Sequence, residues 1–423
     1  MYDIVIAWSV VLLTILLIQY YTKEEAQLKK ILLIALLARV GVMVLDMYIY
    51  PGLPYLTAAD AGRFQSRALA FYHNLSTREL LSPPYPSGSA LYSYMMAIVY
   101  SVFGTEDRAI IRTVNIMAGV FSIYNAYLIS KMLWTKKIAL QNAFILALFP
   151  LLVVYSQNPI RESFVVYFMT LGFMYFVSWY KLKKPHYLVL SIVGFALSTA
   201  LHMAALMALL ALAVYHMWVI SRSVFSGKAY TIMHTAFALL VTAAGLYYLN
   251  TTGWGLSTLG GEGAIGEFGV EELIERRGGE ERTGRAAYLV GMSANNPVDV
   301  IWQTPVRMVF FLFTPFPWMM NSIWDFVGLF DALLYLIIFW GIYKSFPLIR
   351  QDPAKMALLF MLIGMVIAFA WGVTNFGTGM RHRAKIVCVA ICLAPHFYPL
   401  RQVVFDKAKK GASVVWKSRL LKA

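Results

Sequence analysis

Few residues in this chain carry charge, so the candidates for chemistry are quickly found. Asp60 stands in Ala58-Ala59-Asp60-Ala61-Gly62, within a polar stretch from Pro54 to Tyr92. Its neighbours are small, which leaves the carboxylate accessible, and Arg63 and Arg67 lie one and two turns on if the stretch is helical. Such a carboxylate can act as general base on an acceptor hydroxyl, bind a metal, or cap the helix that follows. Arg381-His382-Arg383 is a dense cationic site, preceded by Gly377 and Gly379, which allow a tight turn before a helix at 384. It suits a lipid-linked phosphate or pyrophosphate, and equally an ordinary anionic headgroup. Arg161 and Glu162 follow Asn158-Pro159. Arg161 can clamp a phosphate, and Glu162 can pair with it or open the next helix, where an acid suits the dipole. Arg307 adds a further cation, and His202 and Tyr85 (in Pro83-Pro84-Tyr85-Pro86) are further candidate substrate contacts. A lone His at such a turn is more often structural than a base.

The elements that must position these residues are membrane helices. The chain has 423 residues, 60% hydrophobic and 13% charged; a soluble domain carries about 25% charged residues. Apolar runs recur at roughly 3–21, 31–50, 110–133, 138–156, 163–180, 186–203, 204–221, 229–249, 324–344, 356–374 and 384–400. The expected fold is therefore an all-α polytopic membrane protein of about eleven spans, a single transmembrane domain over 1–423. Two apolar stretches, 87–103 and 305–319, are short and flanked by polar segments, the second interrupted by Pro315 and Pro317. Arg39 and Asp46 lie seven residues apart within 31–50 and share a helix face, which fits a structural ion pair, direct or through a third group.

The net charge of +15 would suggest nucleic acid in a soluble protein. Here the lysines sit between apolar runs, where they set topology. Lys23, Lys29 and Lys30, then Lys131, Lys136 and Lys137, then Lys181, Lys183 and Lys184, with Lys344, Arg350 and Lys355 and the tail 401–423, can all be cytoplasmic only if 87–103 and 305–319 do not cross. That map predicts an outer loop at 51–109 with juxtamembrane helices, an outer Gly-rich and amphipathic loop at 250–323, and a basic cytoplasmic tail. It brings Asp60, Arg161, His202 and Arg381–Arg383 to the outer side of a cytoplasmic membrane. The N-terminal run lacks a basic n-region and a small-residue cleavage site and reads as a retained helix. Cys388 and Cys392, one helical turn apart, read as buried thiols. No Walker loop, dinucleotide fingerprint, zinc spacing or HExxH is present.

Several motifs together resemble the GT-C glycosyltransferases, and most nearly the bacterial dolichyl-phosphate-mannose protein mannosyltransferase-like branch. They are the loop acid Asp60, the Pro-Pro-Tyr-Pro turn, LYSYMMAIVYSVFG at 91–104, and Arg112-Thr113-Val114-Asn115 at a helix start. ALFPLLVVYSQNPIRESFVVYF at 147–168 and GMRHRAKIVCVAICLAP at 379–395 complete the set. The resemblance covers most of 40–200 and 305–395. It implies an inverting transferase that takes a sugar from a polyprenyl-phosphate-linked donor to a glycan, lipid or protein acceptor on the outer face, without nucleic acid. It makes Asp60 the candidate base, with Arg161, Arg381 and Arg383 on the donor phosphate. Arg63, Tyr85, Glu162, His202, Arg307 and His382 are further substrate contacts. The family's acidic pair is incomplete, since Ala61 and Gly62 follow Asp60; no cofactor is required by the sequence, and a divalent metal remains open. The competing readings are an O-antigen-type polymerase or ligase, which relies on arginines more than on a carboxylate, and a lipid-glycan flippase, which needs a charged path that Arg39 and Asp46 barely supply.

Overall fold

A computed structural model describes residues 2–52, 60–74, 88–224, 236, 243, 286–292, 294, 296–323 and 325–395. The described residues form helices α1 (Tyr2–Tyr21), α2 (Ala26–Val44), α3 (Ala61–Asn74), α4 (Gly88–Phe103), α5 (Arg108–Leu133), α6 (Lys136–Leu148) and α7 (Pro150–Gln157). They continue with α8 (Glu162–Leu182), α9 (Pro185–Leu201), α10 (Leu206–Val224), α11 (Pro297–Phe313), α12 (Asp325–Ile349), α13 (Pro353–Gly372) and α14 (Phe376–Leu393). The one extended pairing among the described residues is a bridge between Ala287 and Asn375. It ties the segment that follows the Gly-rich loop to the start of α14.

Among the described residues six helices are long and apolar enough to cross a membrane: α1, α2 with its π-helical extension to Ile49, α5, α8, α12 and α13. A seventh span exists if α6 and α7 count as one, bent by 56°. The expected count of about eleven differs for physical reasons. The run 138–156 is broken because Pro150 lacks an N–H and cannot continue the helix. Helix α9 and the apolar part of α10 are shorter. Residues 396–423, and 229–249 apart from two isolated positions, lie outside the described residues. Helix α4, with 16 residues, is about 24 Å long, less than the ~30 Å hydrocarbon core.

Helix α14 is the axis of the bundle. It packs against α5, α7, α8, α11, α12 and α13. From Gly379 to Ala394 every residue but Arg381 is buried, as expected of a helix surrounded by others. It begins earlier than its apolar run suggests: Asn375 accepts bonds from the amides of Gly377 (2.8 Å) and Thr378 (3.3 Å) and so starts the helix there. Arg381-His382-Arg383 therefore lies within the second turn of α14 rather than in a turn before it.

Helices α8 and α9 pack closely. A Cβ on Gly194 would lie 2.7 Å from the Gly172 amide nitrogen, and Ser191 and Ser198 donate to the carbonyls of Gly172 (2.9 Å) and Val165 (3.0 Å). Small residues and hydroxyls of this kind replace the hydrophobic drive that lipid removes.

Helix ends packed inside the bundle leave carbonyls without intrahelical donors. Three arginines supply the missing donors. Arg39 donates to the Ala147 carbonyl (2.9 Å) at the α6–α7 break. It does not pair with Asp46, whose carboxylate accepts instead from Arg112 at 2.6 Å. Arg383 donates to the carbonyls of Phe311 (3.2 Å), Leu312 (3.0 Å) and Thr314 (2.6 Å) at the end of α11. Arg161 donates to the Leu201 carbonyl (2.8 Å) at the end of α9. In each case a guanidinium also complements the negative end of the helix dipole.

Candidate active site

The Arg112-xx-Asn115 motif on α5 sets the site's frame. Arg112 donates to Asp46 and to Gln157 Oε1, both at 2.6 Å. Asn115 Nδ2 donates to the carbonyls of Asn158 (2.5 Å) and Ile160 (3.0 Å). These side chains hold the short segment between α7 and α8 and so fix where Arg161 and Glu162 begin α8.

Asp60 is placed by different means. Helix α3 follows it and packs on α4: Phe64 meets Tyr92 edge-on at 5.2 Å, and Tyr100 Oη donates to Gln65 Oε1 at 2.5 Å. Burial raises the Tyr100 hydroxyl to about 12, with the Gln65 bond opposing, so it stays a donor. In turn α4 packs against the end of α9, so closely that a Cβ on Gly88 would lie 2.4 Å from the Leu201 carbonyl oxygen.

These placements converge on Arg381. Its Nη1 donates to Asp60 Oδ2, and its Nε lies 3.3 Å from Glu162 Oε1. Lys385 Nζ lies 3.3 Å from the same Glu162 oxygen and donates to His382 Nδ1 at 2.7 Å, since an ammonium has only protons to give. The His382 ring stacks on Phe369 and meets His202 edge-on, each with centroids 5.0 Å apart. Arg63 sits at the rim, 3.8 Å from Asp60 and 79% exposed. Burial pushes the Arg161 guanidinium below its ordinary pKa, with Glu162 opposing and Arg381 adding; it stays charged.

Asp60, Arg63, Arg161, Glu162, His202, Arg381 and His382 thus meet at one end of the bundle. Arg383 and Arg307 do not join them. Arg383 is fully buried, pairs with Asp331 at 2.8 Å and faces α11 and α12. Arg307 bonds Gln303 (2.8 Å) and the Met292 carbonyl (2.8 Å), with Trp371 stacked at 4.2 Å. Tyr85 lies outside the described residues. Sequence reasoning missed Lys385 and Asp331. Each is an ionisable residue inside an apolar helix, which is itself a signal of an interior partner.

Chemically, Arg161, Arg381 and Lys385 outnumber the carboxylates of Asp60 and Glu162, so the cluster has a cationic excess suited to an anion. Among the described residues no group of three or more His, Cys, Asp or Glu side chains is placed to hold a metal ion. Both clustered carboxylates are already held by Arg381.

The family model described as dolichyl-phosphate-mannose-protein mannosyltransferase matches residues 87–248. A comparison with curated proteins finds no match. Among solved structures, the oligosaccharyltransferase of Archaeoglobus fulgidus shares the fold. Tethered to an acceptor peptide containing the NVT sequon, it matches at TM-score 0.52 and 17% identity over 92% of this chain and 50% of its own. With an inhibitory peptide and a dolichol-phosphate, the archaeal AglB matches at TM-score 0.52 and 16% identity over 93% and 53%. Its complex with Zn and sulfate matches at TM-score 0.50 and 17% identity over 89% and 49%. The chain spans about half the length of that protein. The fold is GT-C-like, as the motifs implied.

Proposed function

We propose that this protein is an integral-membrane glycosyltransferase that moves a sugar from a polyprenyl-phosphate-linked donor to an acceptor on the extracytoplasmic face, in surface glycan or glycolipid assembly. The observation that carries the reading is the meeting of an accessible acid, Asp60, with Arg381 and Arg161 at one end of a GT-C-like bundle. Family resemblance supports the donor class, through the mannosyltransferase model over 87–248.

In this reading the donor phosphate engages Arg381 and Arg161, whose planar donors suit a phosphodiester. Asp60 is released from Arg381 as the phosphate takes its place. It then accepts the proton of the acceptor hydroxyl as the oxygen attacks the anomeric carbon. The bond from that carbon to the phosphate oxygen breaks, and the polyprenyl phosphate leaves with its electron pair. Attack opposite the leaving group inverts the anomeric centre. Arg381 stabilises the charge that grows on the departing phosphate. No step is assigned to a metal. Arg383 acts at one remove, by holding the end of α11 against α14.

Asp60→Asn is expected to reduce transfer by about 10²–10⁴-fold, the range for loss of a general base, with expression unchanged. Transfer of labelled sugar from a synthetic polyprenyl-phosphate donor by purified protein is the measurement. Wild-type rates in the Asn variant would remove Asp60 from the reaction. Products in chain-length ladders, with arginine variants dead and Asp60 variants mild, would indicate the polymerase class instead.

A further inference from the structure

Lys385 belongs to the cluster yet reaches neither solvent nor Asp60. It lies one helical turn beyond Arg381 on α14 and is fully buried. Its charge is directed at Glu162 Oε1, 3.3 Å away, the same oxygen that Arg381 Nε approaches at 3.3 Å. Arg381 divides its interactions between this buried carboxylate and Asp60. Among the described residues Lys385 Nζ meets Glu162 and His382 and lies 5.7 Å from the centre of the Phe369 ring.

A buried carboxylate draws toward itself whatever cation faces it, because it has no water to screen it. Were Arg381 the only cation on that side, Glu162 would hold the guanidinium inward. With Lys385 on the same oxygen, the demand of Glu162 is shared and the Nη face of Arg381 stays turned toward Asp60 and the opening. Glu162 also has an oxygen, Oε2, without a hydrogen-bond partner among the described residues. Glu162 lines a partly open cavity of about 20 Å³ together with Arg39, Ser122, Ser156 and Ser163, room for one water.

We propose that Lys385 is a positioning residue for donor binding: by neutralising Glu162 it frees the outer face of Arg381 for the donor phosphate. The inference rests on the reading of Arg381 as a phosphate ligand given above. Lys385 acts on the donor only through Glu162.

The test is binding of polyprenyl phosphate, the spent carrier, to the full-length protein in nanodiscs, with thermal unfolding followed in parallel. Lys385→Met is expected to weaken binding by about tenfold, the size of a coupling between neighbouring charges. Adding Glu162→Gln should restore most of it, because the charge that captures Arg381 is gone. Lys385→Arg should bind nearly as the wild type does. Unchanged binding in Lys385→Met, or a double variant as weak as the single one, would overturn the proposal, since a purely structural lysine gives no rescue. Should Lys385→Met fail to fold, the double variant is compared with Glu162→Gln alone, and weaker binding in the double variant is again fatal. A wild-type protein that binds no polyprenyl phosphate would overturn the functional reading itself, and this inference with it.

Discussion

Arginine does several jobs in this molecule, and the partner atom tells them apart. Arg381 faces carboxylates, Asp60 and Glu162, and can exchange one for a phosphate. Arg383 faces three backbone carbonyls and Asp331, and has nothing it can release without orphaning a helix end. Arg383→Met is therefore expected to lower stability by about 3–5 kcal/mol, the cost of leaving a buried charge unpaired. Asp331→Asn added to it should recover part of the loss. Thermal unfolding in detergent measures both. An Arg383→Met protein that unfolds at the wild-type temperature but no longer binds polyprenyl phosphate would return Arg383 to the donor site.

At the scale of elements, backbone contact transmits position. Helix α9 is pressed between α8, at Gly172 and Gly194, and α4, at Gly88. A Cβ on Gly194 meets backbone atoms of Gly172 at 2.7 and 2.8 Å, which no side-chain rotation can relieve. Gly194→Val is expected to cost about 1–3 kcal/mol, as overpacking does. Because α8 begins at Glu162 and α9 ends beside His202, the separation should also displace Arg161 from the Leu201 carbonyl. A lowered unfolding temperature together with a raised donor KM is the expected pair of results. A stability loss with an unchanged KM would mean that the α8–α9 spacing does not reach the site.

At the scale of the whole molecule, the charge clusters lie at opposite ends of the helices. About 28 Å of helix separates Glu162 from Lys181 on α8, close to the thickness of a hydrocarbon core. At the Lys181 end, Glu25 pairs with Lys131 (3.0 Å) and Lys136 (2.5 Å), and Asp352 pairs with Lys181 (2.7 Å). Burial alone would raise both carboxyls. Lys136 and Lys131 outweigh it at Glu25, and Lys181 and Lys355 at Asp352, so both sit below their ordinary values. A depressed carboxyl adds stability that is complete above the unfolded pKa of about 4 and is lost as pH falls through the lower folded value. The unfolding temperature should hold from neutral pH to about 5 and then decline below about 4. Glu25→Gln with Asp352→Asn should flatten that decline. An identical decline in wild type and double variant would mean that these pairs contribute nothing to acid stability.

Composition and apolar run length were enough for the helical membrane class, since lipid admits only segments that satisfy their own backbone. They also marked Asp60, Arg161, Glu162 and Arg381, because charge in such a chain is too costly to be incidental. Partner choice was not legible. Asp46 and Arg39 share a helix face, yet one pairs with Arg112 and the other with carbonyls freed by Pro150. That choice depends on where α5 and α6 pass, which no local spacing encodes. Likewise Arg381 and Arg383 are two residues apart on α14 and face different neighbours, one Asp60 and Glu162 and the other α11. Lys385 escaped notice for the same reason. Residue type told where charge would need a partner, and only the packing of α14 among its neighbours decided which partner it met.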